Sequence, residues 1–286
     1  MSRTSPARKA TTRPSGRRRP GAPRPAAHRR GGEESSGVAR VGGLPLARLD
    51  AGDVVSHVFD SLAAGFGGWL VTANVDFAQR SRTDAACAAL YAEADLMVAD
   101  GAPLVWASRL AGVPVPERVA GSDLVWLLAE RAALEGRSLY LLGGDGDAGP
   151  RAADTLKSRY AGLDIAGVSS PWLSLPPTAE ELAPIIDDVR RCKPDVVYAA
   201  MGSPKQEYVI RALRDALPET WFMGCGISLS FITGDVARAP VWMQRTGLEW
   251  LHRLVQEPGR LARRYLLQNL PFTLRLLYGA ARKSES

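Results

Sequence analysis

Cysteine and histidine are scarce in this chain. Its 286 residues contain three of each, Cys87, Cys192 and Cys225 and His28, His57 and His252, all far apart. Thiols so few and scattered build no disulfide framework and suit a reduced cytoplasmic interior. Neither set has the close spacing of a zinc site, so a structural zinc or a His-based metal centre is not expected. Long apolar runs are missing as well. No window reaches the roughly 18 consecutive apolar residues of a spanning helix, so no span is predicted. Arg17-Arg18-Arg19 and Arg29-Arg30 lack the following apolar run, about seven residues or more, that a secretory signal needs.

Positive charge is absent where a nucleic-acid binder would display it. The formal net charge is +6, yet residues 1–40 hold 11 Lys/Arg against two Glu, residues 253–286 hold seven against two, and residues 41–252 hold 18 against 26 Asp/Glu. A middle that is acidic overall repels phosphate polymers, so nucleic acid is not expected as a partner. Large apolar side chains are almost missing from the first forty residues, which are rich in Arg, Pro, Gly, Ser and Ala. Such a segment cannot bury enough surface to offset the entropy of ordering. Residues 1–40 are therefore predicted to be a disordered basic tail, solubilising and weakly attracted to anionic lipid. The remainder is long enough for a core without covalent staples, as one large domain or two small ones.

What is present is an alternating pattern. Strand-like apolar runs at Trp69–Ala73, Leu96–Ala99, Ser138–Leu142, Ile165–Val168, Val196–Met201 and Trp221–Gly224 are separated by helix-period segments near residues 76–93, 122–135, 148–161, 178–191 and 204–216. The alternation predicts an α/β fold. Strands apolar at every position are covered on both faces, which predicts a mainly parallel, Rossmann-like sheet with helices on both sides across residues 41–242. Ser122 is the expected N-cap of its helix and Gly136 the expected terminator. Beyond Trp242, Leu248, Leu251, Leu254 and Val255, then Leu261, Tyr265, Leu266 and Leu267, then Phe272, Leu274, Leu276, Leu277 and Tyr278 form apolar stripes. Arg253, Arg260, Arg263, Arg264 and Arg275 are interleaved with them. Residues 243–286 are predicted to be a helical appendage. On the residues alone, its stripes could lie in a membrane interface, dock on the sheet or join two copies.

Three features carry chemistry. Gly202-Ser203-Pro204-Lys205-Gln206-Glu207 falls where a parallel strand gives way to a helix, the place where open α/β sheets hold ligands and a helix N-terminus favours anions. Pro204 suits a first helical turn. A solvated helix start would read the same way. Asp100 follows the run Leu96–Ala99, with Gly101 leaving room beside it, and Thr72 and Asn74 close the preceding strand. An Asp so placed is a helix cap, a turn residue or a general base. Gly144, Gly146 and Gly149 form GxGxxG between a strand and a helix, as in dinucleotide folds. The acid that should end the second strand and hold a ribose hydroxyl is missing, since Asp164 precedes Ile165–Val168 and Ser169-Ser170 occupy its end. The glycines serve either a sugar nucleotide's diphosphate or a tight turn.

These features belong to an ordered set. It includes Thr72-Ala73-Asn74, Ala99-Asp100-Gly101, Glu117-Arg118-Val119-Ala120-Gly121-Ser122-Asp123, Lys205-Gln206-Glu207 and Thr233-Gly234-Asp235-Val236-Ala237-Arg238-Ala239-Pro240. Gly247-Leu248-Glu249-Trp250-Leu251-His252-Arg253-Leu254 and Glu257-Pro258-Gly259-Arg260-Leu261-Ala262-Arg263-Arg264 complete it. In these motifs, from about residue 41 to about residue 268, the chain resembles the WecG/TagA/CpsF family of bacterial glycosyltransferases.

The resemblance implies an inverting hexosyltransferase, peripheral on the cytoplasmic face of the membrane. It would move N-acetylmannosamine, its uronic acid or a related hexuronic acid from a UDP-sugar to a polyprenyl-diphosphate-linked acceptor, feeding cell-envelope or exopolysaccharide synthesis. It implies that Asp100 is the base for the acceptor hydroxyl and that Thr72 and Asn74 orient substrate by hydrogen bonding. Arg118 would hold a phosphate or pair with Asp123, and Lys205 and Gln206 would contact the donor. Arg253, Arg260 and Arg263 would bring positive charge to a nucleotide or lipid diphosphate, from an appendage that closes over the active site. No cofactor is expected. No Asp-x-Asp motif lies near Asp100, so arginines are expected in the place of a metal cation. Self-association is left open. One departure stands out: where the family usually has Phe-Asp after Gly-x-Gly, this chain has Leu229-Ser230, which alters the donor or weakens activity if that Asp meets substrate. Two competing readings remain, a dinucleotide-dependent sugar oxidoreductase and a catalytically silent partner in glycan assembly.

Overall fold

The computed structural model describes residues 37–283, with the side chains of Arg245, Arg260 and Lys283 outside the described set. What the sequence predicts for residues 1–36 also lies outside it. A hairpin of β1 (Val38–Val41) and β2 (Leu44–Ala47) precedes a six-stranded sheet. The sheet comprises β3 (Gly68–Ala73), β4 (Leu96–Ala99), β5 (Ser138–Gly143), β6 (Asp164–Ser169), β7 (Val196–Ala200) and β8 (Trp221–Gly224). Its order is β4-β3-β8-β7-β5-β6, and every neighbouring pair is parallel. All six strands lie within a residue of the runs expected.

Side chains alternate along each strand, and that alternation divides the interior into two cores. Trp69, Val71, Met97, Tyr140, Leu142, Val197 and Phe222 join one cluster, covered by the helices Val75–Thr83, Ala85–Tyr91, Ala102–Leu110, Ala179–Cys192 and Lys205–Ala216. Leu70, Val98, Leu139, Leu141, Val196, Tyr198 and Met223 join the other, under Ala51–Ala63, Gly121–Glu135, Ala148–Arg159 and Ser228–Thr233. Burial on both faces is why five of the strands read as unbroken apolar runs, while the edge strand β6 is only partly buried.

Four local details differ from expectation. The segment 76–93 is two helices, because Asp84 leaves the first with extended backbone and caps the second by accepting the N–H groups of Ala86 and Cys87. The next concerns Gly121–Glu135, which starts one residue early with Ala120 at the N-cap and no side-chain cap, so Ser122 is not the cap. Gly136 does close that helix, at φ 63°. The hairpin begins inside the stretch predicted to be tail, with Val38, Ala39 and Arg40 in its first strand. Its two-residue turn is Gly42-Gly43, with φ of 61° and 92°, as a primed turn requires. Pro204 sits immediately before its helix rather than in the first turn.

After Pro240 the chain is helical through Val241–Thr246, Glu249–Gln256, Pro258–Ala262, a π-helical stretch Arg263–Asn269, and Leu270–Lys283. The last helix docks on the first core. Leu276 and Ala280 are buried there, and the Leu276 Cδ1 is 3.3 Å from where a Cβ on Gly42 would stand. Docking accounts for only part of the stripes, because Val255, Leu266, Leu267, Leu270, Leu274 and Tyr278 remain exposed. No described helix is long and apolar enough to cross a membrane.

Candidate active site

β3 and β4 end side by side. Ala73 pairs with Ala99, and the Asp100 N–H donates to the Ala73 carbonyl at 2.8 Å. Asn74 and Asp100 therefore leave the sheet together at its carboxyl edge. Asn74 caps the following helix, its Oδ1 accepting the Asp76 N–H at 3.0 Å. Gly101 permits the close approach: a Cβ there would lie 3.3 Å from the Asn74 Cα. Thr72, two residues before Asn74 on β3, is buried, and a Cβ on Gly121 would come within 2.9 Å of its Oγ1. That contact explains the glycine at the helix start.

The loop before that helix brings in Arg118. Val119 donates to the Ala99 carbonyl at 2.8 Å, and the Arg118 Nη1 then lies 3.7 Å from the Asp100 Oδ1 and 2.9 Å from the Glu249 Oε2. The other Glu249 oxygen is 3.4 Å from the Arg238 Nε, and Arg238 also bonds Asp123. The expected pairing of Arg118 with Asp123 is thus corrected. The chain after Thr233 lays Arg238 over the first turn of Gly121–Glu135, where Asp123 stands, and Glu249 takes Arg118.

Asp100 is surrounded by protein at the sheet's carboxyl edge, with 28% of its side-chain surface still open to the candidate cleft. Burial pushes its carboxyl up to about 6, opposed by Arg118 and reinforced by Glu249. At 3.7 Å Arg118 attracts the carboxylate without a hydrogen bond to it. In the first turn of the helix that Asn74 caps, Asp76 is buried with Arg80 at 2.7 Å and Arg264 at 3.2 Å.

The Lys205-Gln206-Glu207 cluster lies at the end of β7. Gln206 is buried, with its Oε1 accepting the Gly226 N–H at 3.0 Å and its Nε2 donating to Glu207 at 2.8 Å. A Cβ on Gly224 would fall 2.4 Å from that Nε2. The Gln206 amide thus braces the end of β8 instead of facing the cleft. Burial pushes Glu207 up to about 7, against hydrogen bonds from Gln206 and Ser203. Lys205 donates to the Leu173 carbonyl at 2.5 Å and stands 5.9 Å from the ring centre of the exposed Trp172. In the glycine loop, Gly143 has φ 100° and a Cβ there would meet the Ala200 carbonyl at 2.6 Å, so the loop closes β5 tightly on β7. Ser169, not an acid, ends β6.

Among the described side chains, the appendage arginines have separate surroundings. Arg253 lies 5.8 Å from the Phe231 ring centre and 3.8 Å from Glu257. Arg263 is exposed on the π-helical stretch, and the Arg260 side chain lies outside the described residues. Arg264 is the one that reaches Asp76. Ser230 is buried in Ser228–Thr233, where its carbonyl accepts the Val236 N–H at 3.3 Å. Sequence reasoning assigned no role to Glu249 or Arg238, although both lie inside motifs it singled out. Two hollows of about 520 and 540 Å³, around Tyr208 and Arg211 and around Arg48 and Arg109, lie apart from this cleft.

A carboxylate pushed up by burial, a hydroxyl, an amide and a guanidinium group thus stand at the carboxyl edge of the parallel sheet of an α/β protein. The family that matches is the Glycosyl transferase WecG/TagA/CpsF family, over residues 39–286, and the chain belongs to it. It is 29% identical over 225 residues to the N-acetylglucosaminyldiphosphoundecaprenol N-acetyl-beta-D-mannosaminyltransferase of Bacillus spizizenii, covering 77% of this chain and 85% of that one. Family membership decides for the glycosyltransferase over the oxidoreductase suggested by the glycine loop.

Proposed function

We propose that the protein is an inverting UDP-sugar-dependent transferase with a polyprenyl-diphosphate-linked sugar as acceptor. N-acetylmannosamine is the first donor candidate, and its uronic acid or a related hexuronic acid the next. The observation that carries this reading is Asp100, a carboxylate with raised basicity whose side chain is 28% exposed at the sheet's carboxyl edge. The acceptor hydroxyl oxygen bonds to the anomeric carbon, the bond from that carbon to UDP breaks, and Asp100 takes the hydroxyl proton. A carboxyl titrating near 6 is mostly ionised at neutral pH and a stronger base than an exposed Asp. Thr72 and the Asn74 amide N–H groups orient the substrates, since the Asn74 Oδ1 is engaged with Asp76.

Arg118 offers positive charge to the departing diphosphate, joined by Arg253, Arg260 and Arg263 as the appendage, residues 243–286, closes on substrate. Lys205 is the donor contact at the β7 end, with Gln206 holding the loop beside it. The relative's name supports both the lipid-linked acceptor and the mannosaminyl donor. The exposed stripe of Leu266, Leu267, Leu270, Leu274 and Tyr278 holds the enzyme peripherally on the inner membrane face. Incubating the protein with a panel of UDP-sugars and a short-chain diphosphate-linked N-acetylglucosamine, with mass spectrometry of the lipid product, tests the reading. Folded protein that transfers from no donor in the panel would overturn it.

A further inference from the structure

We propose that Glu249 is a positioning residue: it draws Arg118 off Asp100 and so keeps that carboxylate available as a base while the helix Glu249–Gln256 is seated on the core. The inference rests on the reading of Asp100 given above.

The Arg118 Nη1 has two carboxylates in reach and has settled on one, Glu249 at 2.9 Å, leaving Asp100 at 3.7 Å. Glu249 is itself held in place, its second oxygen 3.4 Å from the Arg238 Nε, while Arg238 is tethered to Asp123. Its side chain is only 15% exposed, so water screens these charges weakly. The groups that face Asp100 are Arg118, Glu249, Asp123 and the Gly121 N–H. With Glu249 gone, Asp100 is the remaining acceptor for Arg118. A close guanidinium pair would occupy the lone pairs the base needs and weaken it. The direction in which each neighbour moves the Asp100 carboxyl agrees, with Glu249 raising it and Arg118 lowering it.

A second observation ties Glu249 to the seating of its segment. Gly247, at φ 76°, lies so close to Ala102–Leu110 that a Cβ on it would stand 2.4 Å from the Ala102 Cβ and 3.2 Å from the Trp106 ring. That helix begins two residues after Asp100. The chain is therefore pinned beside the base just before Glu249 reaches Arg118. Docking of the C-terminal segment and readiness of the base become one event.

The test is Glu249→Gln, which keeps the shape and removes the charge. Three readouts are needed: ¹³C NMR titration of the Asp100 carboxyl, the pH profile of kcat/KM, and the melting temperature. Asp100 is expected to titrate lower by roughly one unit, the acid limb of kcat/KM to move down with it, and kcat at neutral pH to fall about tenfold. A folded variant whose Asp100 titration and acid limb both stay at the parent positions would overturn the proposal. If the titration moves while the acid limb does not, the assignment of Asp100 as the base fails, and the grip of Glu249 on Arg118 stands. Should Glu249→Gln not fold, Glu249→Asp, whose carboxylate is one methylene further from Arg118, is read the same way with a smaller shift.

Discussion

The Asp100 N–H donates to the Ala73 carbonyl at 2.8 Å, extending the β3–β4 ladder one step past the strands themselves. That bond sets Asp100 level with Asn74 and two residues beyond Thr72, so three polar groups from two sequence-distant motifs stand at one edge without a loop of their own.

Asp100→Asn should therefore fold normally and lose roughly 10²- to 10⁴-fold in turnover, the usual contribution of a positioned base. Because the parent carboxyl is raised to about 6, its kcat/KM should fall as the pH drops below about 6. Stopped assays across the pH range check both points, and a variant with a near-parent rate removes Asp100 from the reaction.

Glu207 gives a stability prediction with a defined sign. Its folded-state value of about 7 lies above the ordinary 4.5, so the folded protein holds this proton more tightly than the unfolded chain. The associated stability is fully present below about pH 4.5 and is lost as the pH rises through about 7. Melting temperatures of Glu207→Gln and the parent should converge in acid and separate in favour of the variant towards pH 8. A difference that is flat with pH would show that Glu207 titrates like a surface acid.

Gly121→Ala should injure Thr72. Its Cβ would lie 2.9 Å from the Thr72 Oγ1 in a packed setting, a clash that costs about 1–3 kcal/mol. Transfer should fall with stability, and combining it with Thr72→Ala should restore most of the melting temperature but not the activity. Additive losses in the double variant would mean the two side chains do not meet.

The exposed stripe and the docked face of the last helix should separate in experiment. Replacing Leu267, Leu274 and Tyr278, which are 72%, 61% and 62% exposed, with serine should abolish cosedimentation with anionic vesicles and leave the melting temperature unchanged. Leu276→Ser, at a position only 9% exposed, should lower the melting temperature instead. Vesicle binding that survives the triple change would place the membrane contact elsewhere.

The sheet was legible because both of its faces are covered, which writes each strand as an apolar run bounded by Gly, Asp or Asn. The hairpin was not read, although Ala39, Val41, Leu44 and Leu46 alternate around Gly42-Gly43, because its short strands abut a stretch almost without large apolar side chains. The split at Asp84 was hidden by helical periodicity continuing on both sides of it. In the cleft, Asp100, Thr72, Asn74 and Arg118 come together as the motifs suggested, since strand ends are readable. The partner of Arg118 was not, because Glu249 is distant in sequence and only the seating of Gly247 on Ala102 brings it there. Gln206 looked like a ligand group, and its engagement with Gly226 and Glu207 could be seen only once β7 and β8 were neighbours.

The order of strands also has a meaning in time. Gly68 lies against Trp221 in the middle of the sheet, so β3, made early, waits for β8, made late. Until then a growing chain can assemble β4 with β3, and β7 with β5 and β6, as two half-sheets with open edges, and pairing across such a span is slow to close. Asp100 belongs to one half and Gln206 to the other, and Glu249 emerges only after the seam. Every nascent molecule therefore passes through a stage in which Asp100 and Gln206 exist on half-sheets not yet joined, and the proposed site is complete only when the last helices are.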